Sequence, residues 1–225
     1  VMTVSQDGTQ LASGGIGNNI KLWNLETFDD LSQVISGSDS KFDVSSLSPG
    51  GTQLATKNIW GGIDIWDLKT GEMLARFESQ DIGYADSFIY SPDGLQLAIA
   101  GMHGEVWVCD MLTGEMRTVL PRAAGFSDTA LAYSPDGMLL AVGRRSDGMQ
   151  VLDLKTGEVK YTLPSSQFGY RASAFSLDGS ALATSGSDTM GVRLWSAATG
   201  ESLSGVQSRD VLENIANRFA FSPDG

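Results

Sequence analysis

Histidine and cysteine are nearly absent from this chain: 225 residues contain one of each, His103 and Cys109. A single cysteine excludes an intrachain disulfide framework and a cysteine-based zinc site. A single histidine removes most histidine-metal clusters and ties any Ser–His–Asp arrangement to His103, in the AGMHGE turn. Basic residues are also scarce, 15 against 27 acidic ones, for a formal charge of −12. Phosphate surfaces need clustered Lys and Arg, so neither nucleic acid nor an anionic membrane is an expected partner. Apolar runs are only a few residues long, far short of the roughly 20 that span a bilayer. The start, VMTVSQDG, lacks the basic and apolar segments of a signal peptide, and a cytoplasmic location is the expectation. No G-x-S-x-G elbow, phosphate loop or EF-hand loop is present. The chain is therefore expected to be non-catalytic, with no cofactor and no metal.

What the chain has in abundance is itself. A Ser-x-x-Gly turn recurs at Ser5–Gly8, Ser48–Gly51, Ser91–Gly94, Ser134–Gly137, Ser176–Gly179 and Ser222–Gly225. Its final glycine advances by 43, 43, 43, 42 and 46 residues, a fixed period of the kind that repeat architectures show. Each period holds four short extended segments. The first precedes the turn, as in Phe88–Tyr90, Leu131–Tyr133 and Ala172–Phe175. The second carries a Leu-Ala pair, such as Leu54-Ala55 and Leu97-Ala98. The third alternates, over Ile20–Leu25, Ile63–Leu68, Val106–Met111, Met149–Leu154 and Val192–Trp195. A Thr-Gly turn then leads to a fourth, as in Met73–Phe77, Met116–Leu120 and Val159–Leu163.

Asp-Gly between such runs supplies the positive φ of a tight hairpin turn, so the aspartates read as turn formers. The expectation is an all-β chain of four-stranded antiparallel meanders. One such sheet cannot bury both faces alone, and radial packing into a β-propeller protects them. Complete blades are expected at about 1–40, 41–82, 83–125, 126–168 and 169–213, with 214–225 beginning another. Five blades and the first strand of a sixth imply a larger ring of six to eight. The chain opens inside a repeat, so missing sequence or another chain is expected to supply the rest. Arg76, Arg117 and Lys160 on fourth strands read as charges that discourage edge pairing.

Third strands end in Trp23-Asn24, Trp66-Asp67, Cys109-Asp110, Leu152-Asp153 and Trp195-Ser196. With "IDIWDLKTGE" and the SPDG turns, the chain resembles the WD-repeat family over essentially its whole length. That resemblance implies a rigid scaffold for proteins or peptides, often one domain of a larger signalling or assembly protein. The Gly-His pair of typical WD repeats, whose histidine joins a buried Asp–His–Ser/Thr–Trp network, is missing. Gly83-Tyr84, Gly125-Phe126 and Gly169-Tyr170 stand in that region, where blade packing is the expected role and lining the face of the variable loops the alternative.

Part of the network logic survives. Ser13, Thr56 and Thr184 precede Trp23, Trp66 and Trp195 by 10, 10 and 11 residues. Where the tryptophan is Cys109 or Leu152, the hydroxyl becomes Ile99 or Val142. A buried indole N–H needs an acceptor, and without the donor a buried hydroxyl is a cost. These six residues are assigned to structure.

Partner binding is sought where the template breaks. Trp60 interrupts the KNIWGG loop, and Trp107 stands where other repeats carry Lys21, Asp64, Gln150 and Arg193. If those polar side chains mark an accessible position, Trp107 is exposed in part; otherwise both tryptophans fill the gap between blades. Met102, His103, Arg144 and Arg145 lie in neighbouring loops. Exposed aromatics and Arg are typical interface anchors. Two alternatives remain open: a propeller accessory to a hydrolase or peptidase, and one that binds a carbohydrate or small ligand.

Overall fold

A computed structural model describes residues 2–5, 8–14, 19–27, 35–36, 45–123, 129–145, 147–164, 169–186, 192–203 and 221. The turns at Asp7 and Asp224, Phe126, and the inner strand expected at Arg218–Ser222 (Phe221 apart) lie outside them. The described residues form five antiparallel sheets. The first contains β1 (Met2–Val4), β2 (Gln10–Gly14), β3 (Asn19–Asn24) and β4 (Ile35–Ser36) in sequential order. The second contains β5 (Ser45–Leu47), β6 (Gln53–Lys57), β7 (Ile63–Asp67) and β8 (Met73–Phe77). One helical turn, α1 (Ser79–Ile82), leads to β9 (Ala85–Tyr90), β10 (Gln96–Gly101), β11 (Val106–Asp110) and β12 (Met116–Leu120). The fourth sheet contains β13 (Ala130–Tyr133), β14 (Leu139–Arg144), β15 (Gly148–Asp153) and β16 (Val159–Leu163). The fifth contains β17 (Tyr170–Phe175), β18 (Ala181–Gly186) and β19 (Val192–Ser196), and Ser202 bridges to Trp195. The described residues are thus all-β apart from α1, with four four-stranded antiparallel meanders and one sheet of three described strands, an arrangement consistent with propeller blades. The chain divides into two compact units, Val1–Gly101 with Trp107–Arg117, and Met102–Val106 with Thr118–Gly225.

Two local devices repeat in every sheet. In the Ser-x-x-Gly turn the serine hydroxyl accepts the amide five residues on: Gln53, Gln96, Leu139 and Ala181 reach Ser48, Ser91, Ser134 and Ser176 at 2.8–2.9 Å. The glycine closes the turn with φ near +70°, as at Gly94 and Gly137, a region that only glycine enters freely. At the other end, the residue after the tryptophan position opens the next turn as an acceptor. Asp67 Oδ1 takes the amides of Lys69 and Thr70, each at 2.8 Å, and Asp110 and Asp153 do the same. A short oxygen-bearing side chain is what that turn requires, which explains Asn24 and Ser196 at the same place.

The inner strands bury both faces. β6 and β7 are almost wholly buried, whereas β8 is largely exposed. Within the first unit, Ala12, Ile20 and Leu22 of the first sheet pack on Leu54, Trp66 and Leu68. The opposite face of the second sheet, with Ala55, Ile63 and Ile65, packs on Phe88, Leu97, Ile99 and Cys109. Within the second unit, Ala141, Met149 and Val151 meet Phe175, Leu182 and Trp195. Three indoles donate to the neighbouring strand of their own sheet: Trp23 to Ser13 at 2.9 Å, and Trp66 to Thr56 and Trp195 to Thr184 at 2.8 Å. Ile99, Cys109, Val142 and Leu152 are buried with no hydroxyl–indole pair at all.

One edge-strand expectation changes. Arg76, Arg117 and Lys160 are all exposed, but the Arg76 guanidinium, 33% accessible, also forks onto Asp64 at 2.7 and 3.1 Å. Its charge neutralises a buried carboxylate, a stronger demand than guarding an edge.

Thr184→Val leaves the Trp195 indole without its acceptor and should cost about 1–3 kcal/mol in urea unfolding. Adding Trp195→Phe should recover part of that loss, because the orphaned donor disappears too. Burial pushes the Cys109 thiol up to about 11, from 9.0. The folded chain thus keeps a proton that the unfolded chain releases, and stability should fall as pH rises from about 9 towards 11. Cys109→Ala should remove that loss, and the native thiol should resist thiol reagents at pH 8. On the acid side, the hydroxyl of Ser176 and the amide and hydroxyl of Ser180 hold Asp178 down at about 2, from 3.8. Its contribution is present above about 4 and should fade as pH drops towards 2. Urea midpoints across pH check both limbs.

Candidate interaction surface

The β6–β7 loop, residues 58–62, is tied down from below. Asn58 is buried, and its Oδ1 accepts the amides of Trp60 at 3.1 Å and Gly62 at 2.9 Å. Its backbone exchanges bonds with Gly62 and Gly61, each at 3.0 Å. Asn58 Nδ2 donates to Asp64 Oδ1 at 3.1 Å, and Asp64 is completely buried, held on its other side by the Arg76 fork. A planar guanidinium makes that two-point contact, which a lysine cannot reproduce. Both loop glycines are required. A Cβ on Gly62 would stand 2.3 Å from the Phe77 carbonyl oxygen, and one on Gly61 would stand 2.2 Å from the Tyr84 ring.

The clamped loop turns its large side chains outward. Trp60 is 60% exposed, Tyr84 42% and Ile59 38%. Tyr84 is placed by the bond from the Ala85 amide to the Gly61 carbonyl, 2.8 Å, and Lys57 Nζ sits 4.5 Å from its ring centroid. Ile82, fully buried, anchors α1 beside it. Trp60, Ile59 and Tyr84 all belong to the first unit.

Trp107 has a different environment. It is half-buried against the cluster of Ala55, Ile63, Ile65 and Ile99, so it packs between the second and third sheets. The polar side chains at its equivalent positions do not mark one accessible site: Lys21 and Arg193 are exposed, Gln150 is partly buried, and Asp64 is sealed. What matters there is whether a neighbouring strand supplies charge partners, as Arg76 and Asn58 do for Asp64.

The remaining candidates lie in the second unit. Met102 is exposed and His103 half-buried, in a turn pinned by the Ala123 amide on the His103 carbonyl at 3.0 Å. Arg144 is buried; its guanidinium donates to Asp147 at 3.1 Å and to the Pro121 carbonyl at 3.0 Å. Arg145 is exposed, with Gly169 packed against its backbone. Tyr170 is buried and donates its hydroxyl to the Pro164 carbonyl at 2.6 Å, which leaves Tyr84 as the exposed Gly-aromatic residue among those described. Among the described residues no group of three or more His, Cys, Asp and Glu is placed to hold a metal ion.

Sequence reasoning did not find Asn58, Asp64 and Arg76 as a unit. A signal existed: 43 residues on, Asp64 and Arg76 become Trp107 and Val119 together. That is the same joint replacement of bonded partners that marks the hydroxyl–indole pairs.

No curated protein matches the chain. Residues 1–24, which contain the β1–β2–β3 hairpins, match the family model "WD domain, G-beta repeat". The Ser-x-x-Gly turn and the oxygen-opened second turn of that matched segment recur in the sheets that follow, so the likeness to WD repeats extends beyond the matched residues as a local pattern.

Proposed function

We propose that the chain is a non-catalytic scaffold that binds a protein or peptide, and that the Trp60 loop is its principal contact. WD repeats generally mediate protein–protein interaction. The observation that carries the assignment to this loop is a 60%-exposed tryptophan on a backbone fixed by the Asn58–Asp64–Arg76 chain of bonds. Large exposed apolar side chains are costly to keep in water, and interface energy concentrates in such aromatic anchors. A loop held in one conformation before binding loses little entropy when a partner docks. Ile59 and Tyr84 extend the anchor into a patch. Trp107 is read as support for the same rim from within, and Met102, His103, Arg144 and Arg145 as residues of separate loops in the second unit. The five sheets are read as blades of a larger propeller, with this rim on one of its faces.

A photo-crosslinking residue at position 60 should trap discrete partners in cells, whereas one at Leu112, 80% exposed on the β11–β12 turn, should not. Equal labelling at both positions would refute the assignment. Asn58→Ala should leave the Trp60 and Gly62 amides without their acceptor. Their hydrogen exchange should accelerate by tenfold or more, while the amides of the β6–β7 ladder stay protected. Unchanged exchange at both would show that the loop does not depend on Asn58.

A further inference from the structure

The two units differ in charge. The first carries fifteen Asp and Glu against six Lys and Arg; the second carries twelve against nine. The exposed aromatic patch therefore sits on the more acidic unit. Locally the bias is the same, since Glu78 and Asp81 are exposed on and beside α1, within a few residues of Tyr84. The nearby cation, Lys57, already lies over the Tyr84 ring, whereas the described cation–ring contacts leave the Trp60 ring uncovered. An indole face is the best of the aromatic platforms for a cation, and a negative surround raises the local concentration of positively charged partners.

We infer that the Ile59–Trp60–Tyr84 surface receives a basic peptide segment, with a Lys or Arg side chain laid on the Trp60 ring and flanking cations facing Glu78 and Asp81. The inference rests on the reading of this loop as the contact surface, and it adds the chemistry of the partner. Lys57 on Tyr84 is the internal precedent: the chain itself places an ammonium 4.5 Å from the neighbouring aromatic centroid.

The test is selection of a random dodecapeptide display library on the full chain, with counter-selection on Trp60→Ala. Because most of the indole is in solvent, that variant should fold, and thermal unfolding verifies it. The expected result is a Trp60-dependent pool enriched in Lys and Arg, whose members bind Trp60→Ala at least tenfold more weakly. The same peptides should bind Asp81→Lys more weakly and lose affinity as salt rises. Asp81→Lys changes only an exposed charge, so it decides the matter even if Trp60→Ala were to unfold. A Trp60-dependent pool that is neutral or acidic, or indifferent to Asp81→Lys, would overturn the basic occupant and leave the contact surface standing. A pool with no dependence on Trp60 would overturn both.

Discussion

Four short strands make a sheet too small to have an inside, so the inner strands can be buried only between two neighbouring sheets. β6, β7, β14 and β15 accept this by burying side chains on both faces, Thr56 and Asp64 among them. Among the described fourth strands, β8 and β16 stay largely exposed. Burial on both sides also sets the terms for every polar group within. A hydroxyl or an indole is tolerated there only with its partner, and the chain obeys this in two currencies: Trp66 with Thr56, or Cys109 with Ile99.

The Asp64 network is the same rule at higher stakes. A fully buried carboxylate needs charge and hydrogen bonds together, and it receives Arg76 from β8 and Asn58 from the loop. Asn58 then has its Oδ1 left to organise the loop backbone, so a core requirement becomes a surface property. In the next repeat the same place is filled by Trp107, which needs no such network, and no comparable clamp follows from it. Two tryptophans that look alike as interruptions of the template thus have opposite roles, one in the packing and one in solvent.

On the proposed reading, stability and recognition fall to different residues. The repeated turns, the apolar inner strands and the hydroxyl–indole pairs hold the sheets, and they leave loop residues free to vary without loss of the fold. Trp60 costs the core nothing because it is outside it, and the loop that carries it is held by the buried Asn58 and Asp64.

Much of the architecture was legible without coordinates. The Ser-x-x-Gly period located the hairpins, the fourth strands ran where expected, and Ser13, Thr56 and Thr184 were paired with their tryptophans by spacing alone. These are local or repeated features, and the repeat itself acts as the control experiment. What only tertiary structure decided was orientation. Nothing in the linear order says that Trp107 faces a neighbouring sheet while Trp60 faces water, or that Asp64, opposite Arg76 in the β7–β8 register, lies on a face that its neighbours seal. Those outcomes depend on which sheet covers which face, and packing between sheets joins residues that sequence spacing does not relate.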